Sequence, residues 1–138
     1  MKTQINPYLT FAGNCSEAMT FYKECLGGEL NIQVIKESPM ADQWPENMRD
    51  LVLHATLIKG NMVLLGSDML GTGELKEGNG ITLSLTCSSE AEMNSFFESL
   101  GAGGRVNIPL HDFFGGRLGS LADKYGKSWT LYLDTNAQ

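Results

Sequence analysis

The strongest constraint on this sequence is an internal repeat with an offset of 75 residues. A run that begins at Asn14 returns at Ser89, and the aromatic pair Phe21-Tyr22 returns as Phe96-Phe97. A glycine pair closes each copy, at 27–28 and at 103–104. A fixed internal period indicates the architecture before any single residue is interpreted. The repeat therefore predicts two copies of one module, and it favours a functional site where the modules meet.

The length predicts how the modules are organised. A chain of 138 residues is long enough for one well-buried core, whereas two independent domains would each be marginal. We therefore expect a single domain spanning residues 1–138. Module one covers 1–68, a linker rich in glycine and charge covers 69–79, and module two covers 80–138.

Composition excludes several classes of partner. The net charge of −6 and the absence of a basic stretch argue against nucleic acid, which is bound through clustered Lys and Arg. No apolar run is long enough to span a bilayer, and the N-terminus lacks the apolar segment of a signal peptide. Three cysteines without C-x-x-C spacing are typical of free thiols in a reducing compartment. We expect a cytoplasmic protein.

Hydrophobic periodicity predicts a β-α-β-β-β order in each module. In module one we expect strands at 5–12, 29–36, 50–58 and 62–67, and a helix that Asn14 and Glu17 cap and that ends near Leu26. Residues 37–49 are predicted to be a loop, serving as a lid, a dimer contact or simple packing. In module two we expect strands at 80–86, 104–110, 117–123 and 128–134, with a helix at 89–100.

The alternation along the strands predicts an α+β fold in which the paired modules form a curved mixed sheet around a cavity, with the helices on the outer face. The outer face would carry Leu9, Phe11, Leu53, Leu57, Ile81, Leu83, Leu85, Trp129, Leu131 and Leu133. The cavity face would carry Asn6, Tyr8, Thr10, His54, Thr56, Gly80, Thr82, Ser84, Ser128, Thr130 and Tyr132. In the third strand, Val52 and Ile58 share the face of His54 and Thr56. Such a polar wall suits a small polar or amphipathic ligand.

Three separated motifs resemble a known family. They are the run from Asn6 to Tyr22, the run Met62-Val-Leu-Leu-Gly-Ser-Asp68, and Phe113-Phe-Gly-Gly-Arg-x-Gly119 with Asp123-Lys-Tyr-Gly-Lys-Ser-Trp129. Together they resemble the vicinal oxygen chelate superfamily, which includes glyoxalase I, bleomycin- and fosfomycin-resistance proteins and extradiol dioxygenases. More narrowly they resemble its PhnB-like branch, which also carries the label 3-demethylubiquinone methyltransferase-like. The resemblance covers almost the whole chain.

The resemblance implies a divalent metal held by four side chains. In this sequence those positions hold Asn6, His54, Gly80 and Thr130. Only His54 is a good ligand, because glycine has no side chain and amide or hydroxyl groups are weak donors to Zn, Ni or Fe. We therefore predict no metal tetrad and no cofactor; a bound divalent metal is the disfavoured alternative.

Two interpretations of His54 stay open. On the cavity face it could be a general base or a hydrogen-bonding group for a ligand. Alternatively, it is a structural imidazole that a neighbouring hydroxyl satisfies. Phe114 is predicted to be an aromatic cavity wall, and Arg117 is predicted to meet an anionic ligand at the pocket mouth. The predicted ligand-binding set is Asn6, Tyr8, Thr10, His54, Thr56, Thr82, Ser84, Phe114, Arg117, Thr130 and Tyr132.

Three functional hypotheses follow. The first is a small-molecule-binding protein without metal, and the second is an enzyme (a lyase, thiol transferase or isomerase) that uses His54, possibly with a divalent metal. The third is a structural or partner-binding protein with a filled cavity. The methyltransferase label finds little support, since Gly101-Ala-Gly-Gly104 follows a predicted helix instead of joining a strand to a helix. The resemblance also implies a homodimer.

Overall fold

The computed structural model describes residues 2–68 and 73–137. The chain divides into two compact units, Met1–Leu75 and Lys76–Gln138. In the described residues each unit contains one α-helix and one four-stranded mixed sheet, in the order β-α-β-β-β. The predicted α+β class and the duplicated module are confirmed. Residues 69–72 of the predicted linker lie outside the described residues.

The first unit consists of β1 (Tyr8–Phe11), α1 (Cys15–Leu26), β2 (Glu29–Val34), β3 (Val52–Lys59) and β4 (Met62–Asp68). The strand order is β1-β4-β3-β2, with β1 parallel to β4 and the other pairs antiparallel. The connection from β2 to β3, predicted to be a loop, contains three short 3-10 turns at Ile35–Glu37, Ala41–Gln43 and Glu46–Met48.

The second unit consists of β5 (Leu83–Thr86), α2 (Glu90–Gly101), β6 (Arg105–Phe113), β7 (Gly116–Ala122) and β8 (Ser128–Asp134). Its strand order, β5-β8-β7-β6, reproduces the order of the first unit. A 3-10 turn at Thr135–Ala137 follows β8. The repeat in the sequence is therefore a repeat of topology.

Helix α1 packs on one face of its sheet through a stripe at helical spacing. The buried side chains of the helix are Cys15, Ala18, Met19, Tyr22 and Leu26. Gly66 in β4 permits this contact, because a Cβ atom there would lie 3.0 Å from the Met19 sulfur and 3.3 Å from the Cys15 sulfur. This face of the sheet is called the outer face below, and the opposite face is called the inner face.

The start of α1 is held by a residue that is distant in sequence. The buried Asp68 carboxylate accepts hydrogen bonds from the backbone N–H of Gly13 at 2.9 Å, of Cys15 at 3.0 Å and of Val52 at 2.8 Å. Asn14 occupies the N-cap position as predicted, but its side chain makes no cap hydrogen bond. One carboxylate thus joins the end of β4 to the start of α1 and to the start of β3.

A β-bulge at the start of β3 corrects the predicted faces. Val34 pairs with Val52 and Gln33 pairs with His54, so Leu53 is an extra residue without a partner in β2. Val52, which strict alternation places beside His54, is instead almost fully buried. From His54 onward the alternation holds, with Ala55 and Leu57 buried and Thr56 on the inner face.

The second unit differs from the prediction at its first strand. Strand β5 begins at Leu83, so Gly80, Ile81 and Thr82 precede it. Ile81 was predicted to pack on a helix and is instead 85% exposed. Helix α2 begins as the repeat suggests, because the Ser89 hydroxyl accepts a hydrogen bond from the Glu92 N–H at 3.1 Å.

Asp123 shapes the turn between β7 and β8, as expected for a turn-forming aspartate. One carboxylate oxygen accepts from the backbone N–H of Tyr125 and Lys127, and the other accepts from the Trp129 indole N–H at 2.8 Å. The Lys127 ammonium in turn contacts the Glu77 carboxylate at 2.8 Å. The run from Asp123 to Trp129 in the third sequence motif is therefore explained by one hydrogen-bonded turn.

Both α-helices are 12 residues long. A helix needs about 20 apolar residues to cross a bilayer. Across the part of the chain that the structure describes, no helix has the length and apolarity to cross a membrane.

We predict that replacing Asp68 with Ala will lower the free energy of unfolding by about 3 kcal/mol, because three backbone N–H groups lose an ionised acceptor in a buried site. Chemical denaturation of the two proteins measures the difference. Asp50→Ala is the matched control, since the Asp50 side chain is 84% exposed and forms a surface ion pair with Lys36. Equal effects of the two substitutions would contradict this account of α1.

Candidate functional site

The inner face of the first unit carries a hydrogen-bonded pair of side chains, Tyr8 and His54. The Tyr8 hydroxyl lies 2.8 Å from His54 Nδ1, and the two ring centroids are 5.6 Å apart. Tyr8 pairs with Leu65 of β4, and Leu65 pairs with Thr56 of β3. The tyrosine ring therefore extends across β4 to reach His54 on β3.

This hydrogen bond orients the imidazole. When the Tyr8 hydroxyl donates, Nδ1 is the acceptor and the proton of a neutral ring is on Nε2; when Nδ1 carries the proton, the tyrosine oxygen accepts. In both tautomers Tyr8 engages Nδ1. His54 is half-buried and Tyr8 is 51% exposed, so the pair lies at the surface of the inner face.

A pocket of about 350 Å³ lies against this histidine. Six residues line it: Asn31, Ile32, Gln33, Glu37, His54 and Thr56. Cross-strand pairing explains the grouping, since Asn31 is opposite Thr56 and Gln33 is opposite His54. The volume falls within the range of small-molecule sites, and the polar groups converge from two neighbouring strands.

Four of the pocket residues were absent from the sequence-based set: Asn31, Gln33, Ile32 and Glu37. The signal for the first two was present, because β2 alternates polar residues (Glu29, Asn31, Gln33) with apolar ones. Glu37 ends the 3-10 turn that follows β2. No periodic signal marks a residue in such a turn.

The other predicted residues of the first unit lie near this pair. Thr10 is on the same face of β1 as Tyr8 and pairs with Ser67 of β4. Asn6 is two residues before β1, and its amide nitrogen contacts the Gln4 side chain at 3.4 Å. The structure thus brings Tyr8, His54 and Thr56 together on the inner face. Thr10 lies further along β1, and Asn6 lies in the segment before β1.

In the second unit, four predicted residues form a polar patch. Ser84 pairs with Thr130 across β5 and β8, and Thr86 pairs with Tyr132. The Thr82 hydroxyl lies 3.0 Å from the Thr130 hydroxyl. This arrangement brings together the predicted residues Thr82, Ser84, Thr130 and Tyr132.

Arg117 lies on the other face of the second sheet. It pairs with the buried Leu133, which places its side chain on the outer face beside α2. Its guanidinium is 3.6 Å from the Asp112 carboxylate and 4.0 Å from that of Glu90 in α2. The structure therefore does not bring Arg117 together with the polar patch of the second unit, and acidic groups already surround it.

Phe114 is the first residue of a two-residue turn between β6 and β7. It has a φ of 44° and is 90% exposed, and Gly115 follows with a φ of 78°. Hairpin turns of this length need positive φ values, which explains the backbone. The Phe114 ring contacts Phe113 at 4.7 Å between centroids, and Phe113 contacts His111 at 6.0 Å.

The residues at the expected metal positions offer few good donors to a divalent ion. Gly80 supplies no side chain, and the Thr130 hydroxyl is bonded to Thr82. His54 shares its Nδ1 with Tyr8, and Asn6 offers only a neutral amide. Among residues 2–68 and 73–137, no group of three or more His, Cys, Asp or Glu side chains is arranged to hold a metal ion.

The Cys87 thiol is not activated. Cys15 is fully buried, and Cys87 is also buried. Burial, with a smaller contribution from the nearby Glu92 carboxylate, raises the pKa of the Cys87 thiol to about 11. The thiol is therefore protonated at neutral pH, whereas a reactive cysteine needs a lowered pKa.

Comparison with known proteins agrees with this architecture. The family model described as 3-demethylubiquinone-9 3-methyltransferase matches residues 3–132. Protein YjdN of Escherichia coli is 30% identical, over 92% of each chain. The crystal structure of PA1353 from Pseudomonas aeruginosa is 33% identical, with a TM-score of 0.86 over 96% of this chain and 98% of that one.

A structure from Bacillus cereus described as a putative 3-demethylubiquinone-9 3-methyltransferase, PhnB protein, is 28% identical, with a TM-score of 0.77 over 95% of this chain and 99% of that one. At the level of fold, the chain resembles a glyoxylase/bleomycin resistance protein/dioxygenase domain from Frankia, at 15% identity and a TM-score of 0.68 over 100% of this chain and 96% of that one. The resemblance found in the sequence motifs is confirmed.

Proposed function

This chain belongs to the 3-demethylubiquinone-9 3-methyltransferase family, and we propose that it is a small-molecule-binding protein of the glyoxalase and bleomycin-resistance type that lacks the usual metal tetrad. One observation carries the proposal: a pocket of about 350 Å³ on the inner face of the first unit, lined by the imidazole that Tyr8 orients. Amide, hydroxyl and imidazole groups there can bind a ligand through hydrogen bonds without a metal.

The family description names a methyl transfer, which would need a glycine-rich turn that binds the methyl-donor cofactor. The described glycine-rich segments do not form such a turn. Gly101 ends α2, and the Gly104 N–H bonds back to the Gly101 carbonyl, which makes that run a helix end. Between β1 and α1, where a cofactor-binding turn would lie, the N–H groups of Gly13 and Cys15 already donate to Asp68. A second glycine run of the sequence, Gly71-Thr-Gly73, belongs to the polar linker and not to a turn that leads into a helix, and its residues 71–72 lie outside the described residues.

An enzyme that uses His54 is the second candidate, as a lyase, thiol transferase or isomerase. The hydrogen bond between Tyr8 and Nδ1 favours it, because a general base or acid needs a partner that fixes its ring. Nε2 would then exchange a proton with the ligand. The first candidate requires only that the imidazole forms a hydrogen bond.

The three free thiols support a reducing compartment, which is the cytoplasmic location that we propose. Cys15 and Cys87 are buried, and Cys25 is half-buried. Each behaves as a small apolar side chain in its unit.

We predict that replacing His54 with Ala will weaken binding of a ligand found by thermal-shift screening roughly tenfold, the effect of losing one well-made hydrogen bond. The screen includes thiols, aldehydes, amines and phosphonates, and calorimetric titration measures the affinity. His111→Ala is the matched control, because His111 is the other histidine of the chain and is exposed on β6. A ligand whose affinity falls with His111→Ala but not with His54→Ala would overturn the proposal.

We also propose a homodimer, supported by large apolar side chains at the surface. In the second unit Phe113 is 38% exposed and Phe114 is 90% exposed, and their ring centroids are 4.7 Å apart. Exposed apolar side chains of this size mark interaction surfaces when they are grouped. Analytical ultracentrifugation at micromolar concentration should give a species of twice the chain mass. A species with the mass of one chain would contradict the dimer.

A further inference from the structure

The lining of the pocket in the first unit contains a carboxylate but no lysine or arginine. Among the lining residues, three have neutral polar side chains (Asn31, Gln33 and Thr56), His54 has an imidazole and Glu37 has a carboxylate. The sixth, Ile32, pairs with the buried Ala55, so its side chain lies on the outer face. In a site with these walls, the carboxylate decides which sign of ligand charge is attracted.

The strand that forms one wall extends the same pattern. Glu29, Asn31 and Gln33 alternate along β2, and pairing places them on the inner face opposite Ile58, Thr56 and His54. Glu37 follows at the other end of this row. Carboxylate oxygens therefore lie at both ends of the row, with two amide oxygens between them. All are hydrogen-bond acceptors.

No lysine or arginine of the described part of the first unit lines the pocket. Lys36 is next to Glu37 in sequence, and its pKa is raised mainly by the hydrogen bond and charge of Asp50 and to a smaller extent by the Glu37 carboxylate. Lys36 forms an ion pair with Asp50 at 3.0 Å, and the Lys59 ammonium bonds to the Leu26 carbonyl at 2.7 Å at the end of α1. The Arg49 guanidinium donates to the Trp44 carbonyl at 3.2 Å. The remaining two described lysines, Lys2 and Lys23, belong to the N-terminal segment and to the last turn of α1.

From this distribution we infer that the ligand is a small organic cation, an ammonium compound, whose charge is recognised by Glu37. The inference rests on the proposed function and adds the chemical class of the ligand. The N–H groups of an ammonium match the acceptors of Asn31, Gln33 and Thr56, while a charge-assisted hydrogen bond to Glu37 supplies the preference over a neutral compound. A phosphonate or carboxylate would face the Glu37 carboxylate with no cation in the lining to offset the repulsion.

Three probes of one shape separate charge from size: benzylammonium, benzyl alcohol and benzoate. Calorimetric titration of the full chain at neutral pH should give affinities in the order benzylammonium, benzyl alcohol, benzoate. We expect Glu37→Gln to weaken binding of benzylammonium about fivefold and to leave benzyl alcohol unchanged, since the charge is partly screened by water. His54→Ala should weaken both probes, which locates them in the pocket.

Glu24→Gln is the matched control. It removes the same charge from the chain, but Glu24 is an exposed residue of α1 on the outer side of the sheet. If Glu24→Gln and Glu37→Gln weaken the binding of benzylammonium equally, the preference for a cation comes from the net charge of the chain. That result would overturn the role of Glu37.

Two further outcomes distinguish the inference from the proposal beneath it. Benzoate binding as tightly as benzylammonium in a His54-dependent manner would overturn the inference and leave the proposed function standing. A lack of His54-dependent binding for all three probes and for every compound of the screen would overturn the proposed function, and the inference with it.

Discussion

The buried Asp68 carboxylate is the interaction on which the first unit depends. It ends β4, and its hydrogen bonds reach the N–H groups of Gly13, Cys15 and Val52. Helix α1 begins there, and β3 begins there too. Because a buried ionised group is tolerated only with such partners, its three bonds specify how the helix, the central strands and the sheet edge meet. The same bonds occupy the helix N-terminus, where an anionic ligand would otherwise bind.

The inner face follows from this anchoring. The extra residue Leu53 lies directly after Val52, so Val52 is buried with the core while His54 turns to the opposite face. There it meets Tyr8 across β4, and it pairs with Gln33 of β2. Two inward polar rows, on β2 and β3, then border one pocket beneath the oriented imidazole. The proposed ligand site is thus a consequence of register and of one bulge.

Sequence periodicity was sufficient to predict the modules but only part of the site. The alternation of β3 and β8 predicted His54, Thr56, Thr130 and Tyr132 on the faces where they lie, because a strand places alternate residues on one face. It failed at Val52, since a single inserted residue reverses the alternation and leaves no local signal.

The periodicity of the sequence does not predict contacts between residues that are far apart in the chain. Asp68 caps a helix that begins 53 residues earlier in the chain, where Asn14 had the expected local chemistry. Glu37 reaches the pocket from a 3-10 turn that has no period. Arg117 was predicted from its motif, and its partner Leu133 shows that the side chain lies on the outer face instead.

We propose that the inner face of the first unit binds its ligand through side-chain hydrogen bonds and not through a metal. Metal analysis of the protein purified without chelators tests it most directly, with His54→Ala and His111→Ala measured in parallel. The donor set at Asn6, His54, Gly80 and Thr130 predicts no stoichiometric divalent ion in any of the three. A stoichiometric ion that is present in the wild type and in His111→Ala, and that is lost in His54→Ala, would contradict the account.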